Sequence, residues 1–152
     1  REIFSKIASK VPNTKFIIVG DGPLRNEVEK VKGIDMTITG FISQQEVAKY
    51  MNAMDVMILP SRNEGWPCVA LEAQACGTCV IGSNNGGIPE AVGFSEYVIE
   101  DGVDFEKRIA ERVVEVLKSG YDKEKLIDRA KNYTWENTVS REIELFEELA
   151  KR

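Results

Sequence analysis

A chain of 152 residues, 43% apolar and 30% charged, is long enough for one domain with a sizeable core, and its apolar runs are too short to span a membrane. Its net charge of −5, with no basic block and no interleaving of aromatic and basic residues, argues against nucleic acid as a partner. The absence of histidine removes histidine acid–base catalysis and most metal sites, and the three cysteines, Cys68, Cys76 and Cys79, cannot all pair.

The chain opens on Arg1, not on an initiator methionine, and Glu2 to Ser9 reads as a helix with Ile3, Phe4, Ile7 and Ala8 on one side. A fragment is therefore expected, whose first strand precedes Arg1. Strand-like and helix-like segments then alternate. Lys15 to Val19 is a strand, Leu24 to Val31 a short helix, Met36 to Thr39 a strand, and Gln44 to Met54 a helix with Val47, Tyr50, Met51 and Met54 on one face. Ser43 is placed to cap that helix, with Glu46 in the reciprocal position. A doubly apolar strand around Val56 follows, then a helix from Val69 to Ala75 that Gly77 stops, a strand over Thr78 to Ile81, and a weak strand over Tyr97 to Ile99.

From Asp104 the pattern becomes helical. Phe105, Ile109, Val113, Val116 and Leu117 form one stripe, Leu126 and Ala130 a second, and Ile143, Phe146, Leu149 and Ala150 a third after Thr134. The whole predicts an α/β domain over residues 1–152, a Rossmann-like parallel sheet with helices on both faces, closed by the helical region 104–152. Parallel strands are expected near Ile18, Ile38, Met57 and Val80. The strands near Ile18 and Met57 should flank the position of the strand that precedes Arg1.

Three loops carry the candidate chemistry. In SRNEGWPCVALE, residues 61–72, Glu64 lies in a turn-prone loop after a buried strand, and Glu72 lies on the helix beyond Pro67. Glu72 is five residues past Pro67, about 7 Å along that helix, so the two carboxylates can address different parts of one elongated ligand. Gly20-Asp-Gly22 follows a strand and opens a helix, where backbone can approach a phosphate or sugar. It lacks the third glycine of a dinucleotide fingerprint. Gly82 to Glu90 is richer in glycine than a routine connection needs, and adjacent Gly86 and Gly87 can expose several amides in one concavity. Cys76-Gly-Thr-Cys79 reads as a helix end and a buried strand carrying small thiols, one ligand short of a zinc site even with Cys68. Asn132-Tyr-Thr134 matches a glycosylation acceptor and is read as accidental.

Taken together, IIVGDGPLR from Ile17 to Arg25 and the run from Ile38 to Val92 resemble the C-terminal, donor-binding half of a retaining glycosyltransferase of family 4, in which two Rossmann-like domains face each other in the GT-B arrangement. Glu64 and Glu72 fall on that family's two glutamates separated by seven residues. The resemblance implies that Glu64 contacts the donor hexose near the diphosphate and is the catalytic candidate, and that Glu72 bonds the ribose hydroxyls. Backbone near Phe41 and Ile42 would meet the nucleobase. Gly65, Trp66, Pro67 and Cys68 would shape a loop whose amides face sugar or phosphate, and Gly20, Gly22, Gly86 and Gly87 would line the donor site.

No metal or cofactor is implied, the nucleotide-diphosphate sugar being a substrate. The expected partners are that nucleotide sugar, an acceptor that is a glycan, lipid or small molecule, and an N-terminal domain of the same polypeptide. The expected location is cytoplasmic, with the periphery of the inner membrane open to the intact protein. The chain departs from the family pattern where Tyr97-Val-Ile-Glu-Asp-Gly102 replaces the usual glycine, asparagine and apolar run. The arginine and lysine that neutralise the donor diphosphate would precede Arg1, so the isolated chain is expected to be inactive. Same-face attack on the donor is favoured over a covalent intermediate on Glu64. A non-catalytic nucleotide-sugar-binding or structural domain and a nucleotide-sugar epimerase are the alternatives.

Overall fold

The computed structural model describes residues 2–151, and the two terminal arginines lie outside the described residues. The elements in chain order are α1 (Glu2–Ala8), β1 (Lys15–Ile18), α2 (Arg25–Glu29), β2 (Asp35–Ile38), α3 (Gln44–Ala53), β3 (Val56–Leu59), α4 (Cys68–Ala75), β4 (Cys79–Ser83), α5 (Ile88–Val92), β5 (Val98–Ile99), α6 (Phe105–Ser119), α7 (Lys123–Lys131) and α8 (Trp135–Ala150). A 3₁₀ turn over Ser95–Tyr97 takes the place of the first residue expected in the last strand. Ser43 and Glu46 form the expected reciprocal cap on α3.

Every strand ladder is parallel. β1 pairs with β2 from Lys15 opposite Asp35 to Ile18 opposite Ile38, β3 pairs with β4, and β4 with β5. The strands form two sheets, β1-β2 and β3-β4-β5, and no ladder joins β1 to β3.

Packing follows strand periodicity. In β4, hydrogen-bonded on both sides, all five residues are buried: Cys79 and Ile81 enter one cluster with Ile7, Phe16, Ile99, Ile109 and Val113, while Val80 enters a second with Met51, Leu59, Ala70, Ala73, Ile88 and Val92. Thus α1 and α6 cover one face and α3, α4 and α5 the other. β3, paired on one side only, leaves Val56, Met57 and Ile58 half-buried despite its wholly apolar sequence. α7 packs on α4. α8 has no buried residue and leaves Trp135, Ile143 and Phe146 exposed.

Candidate functional site

Parallel strands send their following loops to one edge of a sheet, so loops after adjacent strands meet. After β1 and β2, the amide of Gly20 donates to the carbonyl of Gly40 at 3.1 Å and to Thr39 Oγ1 at 3.3 Å. This sets Gly20 beside Gly40-Phe41. Phe41 is 87% exposed, an aromatic face turned to solvent, and Ile42 behind it is half-buried. A side chain at Gly20 or Gly22 would meet nothing within 4 Å, so this loop stands open. Arg25 is bound to Asp21 at 2.9 Å and to Glu29 at 2.8 Å. The Gly22 amide and Arg25 in turn hold the Asp21 carboxyl below the usual carboxylate range.

After β3 and β4 the contact is tighter. The amide of Gly87 donates to the carbonyl of Glu64 at 3.1 Å. A Cβ on Gly86 would sit 2.0 Å from Glu64 O, and one on Gly87 would sit 1.8 Å from Gly65 O, so only glycine lets the two backbones pass. The Glu64 backbone is therefore clamped. Among the described residues its carboxylate takes neither a hydrogen bond from the Gly65 amide or the first turn of α4 nor an ion pair, and the side chain is half-buried. The Glu64 carboxylate is therefore not consumed in stabilising its own turn.

A second set of contacts, absent from the sequence reading, ties this loop pair to the loop after β5. Ser83 Oγ donates to Ser61 O, and Asn85 donates its side-chain amide to Asp101 at 3.1 Å. The Asp101 amide donates to Asn84 Oδ1 at 2.8 Å, and Arg62 lies 3.4 Å from the Asp101 carboxylate. The Asn85 bond, the Gly102 amide and the Arg62 charge hold the Asp101 carboxyl below its ordinary range. Asn84-Asn85 is a turn signal in sequence. Its partner sixteen residues beyond Asn85 is not deducible from local pattern.

On α4, Pro67 is the N-cap and Cys68 the first helical residue, one position earlier than expected. Ala70, Ala73 and Gln74 face inward, which leaves Glu72 on the exposed side. Trp66, 37% exposed, lies against Tyr133 with ring centroids 5.9 Å apart. Gly20, Gly22, Phe41 and Ile42 thus form one group, and Glu64, Gly65, Trp66, Pro67, Cys68, Gly86 and Gly87 another. No hydrogen bond or ion pair among the described residues joins the two.

Burial suppresses two of the three thiols. Burial pushes Cys79 up to about 12 and raises Cys76 above its ordinary value, and Cys68 is simply an exposed free thiol. Among the described residues, no group of three or more His, Cys, Asp and Glu side chains is arranged to hold a metal ion, and no helix is long and apolar enough to cross a membrane. Two cavities, ≈ 350 Å³ against Val98, Arg108 and Arg112 and ≈ 280 Å³ against Arg25, Met36 and Ile38, hold neither Glu64 nor Glu72. Glu64 is half-buried and Glu72 exposed.

A parallel α/β domain with both sheet faces covered and a glycine-clamped acidic loop after a core strand is one half of a GT-B fold. Residues 1–119 match the family model described as glycosyl transferases group 1, and the chain belongs to that family. It is 32% identical over 147 residues to N-acetyl-alpha-D-glucosaminyl L-malate synthase of Bacillus anthracis, covering 93% of this chain and 38% of that protein. It is 40% identical over 90 residues to 2-deoxystreptamine N-acetyl-D-glucosaminyltransferase of Streptomyces fradiae, covering 56% of this chain and 21% of that one. Among solved structures, the pneumococcal O-GlcNAc transferase GtfA in complex with UDP and GlcNAc matches with a TM-score of 0.79 over 99% of this chain and 32% of that chain, at 13% identity, a likeness of fold. The chain thus spans about two fifths or less of the length of these proteins.

Proposed function

We propose that this chain is the C-terminal donor-binding half of a retaining glycosyltransferase of family 4, and that the intact protein transfers a hexose from a nucleotide-diphosphate sugar to an acceptor. The observation that carries this reading is the state of Glu64. Its backbone is clamped by Gly87 while its carboxylate takes no bond among the described residues, the condition of a group positioned for a ligand. In this reading Phe41 and Ile42 meet the base, Glu72 accepts from the ribose hydroxyls, and Glu64 meets the sugar beside the diphosphate. Amides of Trp66, Cys68 and Gly86 line the anionic portion, while the Gly87 amide is spent on the Glu64 carbonyl and Gly87 serves as the clamp. Pro67 contributes shape alone, since proline has no N–H.

Chemistry then rests on positioning and electrostatics. Same-face attack lets the departing diphosphate gather the negative charge and take the acceptor proton, so no carboxylate nucleophile is needed. Arg62, within the clamped loop, is paired with Asp101 and Glu106, at 3.4 and 3.9 Å. In this account the cations that offset the diphosphate are the arginine and lysine expected to precede Arg1. The relatives named for transfer of N-acetylglucosaminyl groups make UDP-GlcNAc the first donor to try. The test is transfer by the intact protein with UDP-, GDP- and ADP-sugars, with the anomeric proton of the product read by NMR. An α-linked product from an α-linked donor is expected, and an inverted product would refute the retaining assignment.

A further inference from the structure

We propose that Tyr133 is a positioning residue for the donor loop, acting on Glu64 through Trp66, with Arg129 as its anchor; this rests on the reading of residues 64–68 as the donor loop. Residues of three segments, 64–66, 87–91 and 129–133, close into a ring of contacts. The first link is the Gly87 amide on the Glu64 carbonyl, and Gly87 is also the N-cap of α5.

The far end of α5 is gripped in turn. Arg129 donates to Glu90 O at 2.6 Å, to Ala91 O at 2.9 Å and to Gln74 Oε1 at 2.7 Å, and buried Gln74 donates to Val92 O at 2.8 Å. Gly93 follows at φ 71°, where an added Cβ would lie 2.0 Å from Arg129 Nε, so the glycine makes room for the guanidinium. The same guanidinium stands 4.8 Å from the centre of the Tyr133 ring, attracted to its face. Tyr133 is fixed at the end of α7 by its amide bond to Ala130 O at 3.0 Å. Its ring packs on Trp66 at 5.9 Å with an interplanar angle of 38°.

Trp66 is two residues from Glu64, and the residue between them is a glycine, so nothing in the chain itself stiffens the step. The loop is held upstream by the glycine pair and the Ser83 bond to Ser61 O, and downstream by Tyr133 on Trp66 and by buried Pro67 at the head of α4. Tyr133 braces Trp66 from the side, so without its ring the short step from Glu64 to Pro67, and with it the aim of the carboxylate, becomes freer to turn. A 1 Å error in the placement of a positioning group is enough to slow a reaction without abolishing binding.

In intact protein labelled with 5-fluorotryptophan, the ¹⁹F resonance of Trp66 is assigned by its loss in Trp66→Phe. Tyr133→Ala is expected to shift it and Tyr133→Phe to leave it in place, because the contact is made by the ring and not the hydroxyl. Turnover with UDP-GlcNAc should fall about 3- to 10-fold in Tyr133→Ala, the size of an aromatic pair, with the loss in kcat and with UDP affinity kept, and should return in Tyr133→Phe. An unmoved Trp66 resonance in Tyr133→Ala overturns the contact. A moved resonance with full turnover overturns the positioning role. Failure of the unsubstituted protein to bind UDP, GDP or ADP or to use any of their sugars refutes the transferase reading itself, before any variant is made, and this proposal with it.

Discussion

The amide of Gly87 and the carbonyl of Glu64 meet at 3.1 Å across two loops that follow adjacent parallel strands, and this bond orients the acidic loop from outside it. Gly87 has φ −83°, a backbone any residue adopts, so substitution there tests crowding and not strain. Gly87→Ala places a methyl group 1.8 Å from Gly65 O, and the loops must separate. Overpacking of this kind costs about 1–3 kcal/mol, so the midpoint of thermal unfolding should fall by roughly 2–12 °C for a domain of this size. Gly22→Ala, with nothing within 4 Å, should leave it unchanged. Equal melting of both variants would mean that the clamp is not formed.

Glu72 lies on the exposed side of α4, where a carboxylate has no structural duty among the described residues. Glu72→Gln should therefore leave stability intact while weakening nucleotide binding. Loss of a charge-assisted bond to ribose is worth about 1.5–3 kcal/mol, or roughly 10- to 150-fold in affinity. Calorimetric titration with the matched nucleotide diphosphate measures it. Unchanged affinity with an intact fold would reject the ribose role.

Glu64→Gln should separate chemistry from binding. Its carboxylate meets groups present on the sugar diphosphate and absent from the free nucleotide, so turnover should fall far more than nucleoside diphosphate affinity. Turnover and binding are measured on the same preparation, with circular dichroism as the control for folding. Parallel losses in both would indicate damaged loop geometry.

The periodic part of this fold was legible from the residues. β4 reads as a buried strand and is buried throughout, whereas β3, read as apolar on both faces, stays half-buried because it is paired on one side only; Ser43 with Glu46 announces the start of α3. The acidic loop and both of its glycines were also found, because Gly, Pro and Asn punctuate a chain strongly. The supports of the site were not found. Asp101, Arg129 and Tyr133 lie sixteen, thirty-eight and sixty-seven residues from Asn85, Ala91 and Trp66, and no local rule relates such positions. Arg129 in particular reads in sequence as an ordinary basic residue in the last turn of α7. The helical stripe of α8 was read correctly as helix, yet its apolar residues stay exposed within this chain.

The cysteines give a prediction independent of any ligand. Cys68 is exposed, Cys76 half-buried, and burial pushes Cys79 from its ordinary 9.0 up to about 12. At pH 8, alkylation mapped by mass spectrometry should label Cys68 first, Cys76 slowly and Cys79 only on unfolding. The unfolded chain releases the Cys79 proton near pH 9.0 and the folded chain keeps it to about 12. Unfolded protein thus binds fewer protons across that window, so this contribution to stability is complete below pH 9.0 and declines as pH rises toward 12. Rapid labelling of Cys79 in folded protein would contradict the packing of β4.

The central claim is that the donor lies across the loops that follow β1 to β4, and amide hydrogen exchange of the intact protein with and without its nucleotide-sugar donor tests it most directly. The account predicts slowed exchange at Phe41 and Ile42, across Glu64 to Cys68 and across Asn84 to Ile88, with no change along Val98 to Glu115, the wall of the larger cavity. Protection confined to that cavity wall, with the acidic loop exchanging as before, would contradict it.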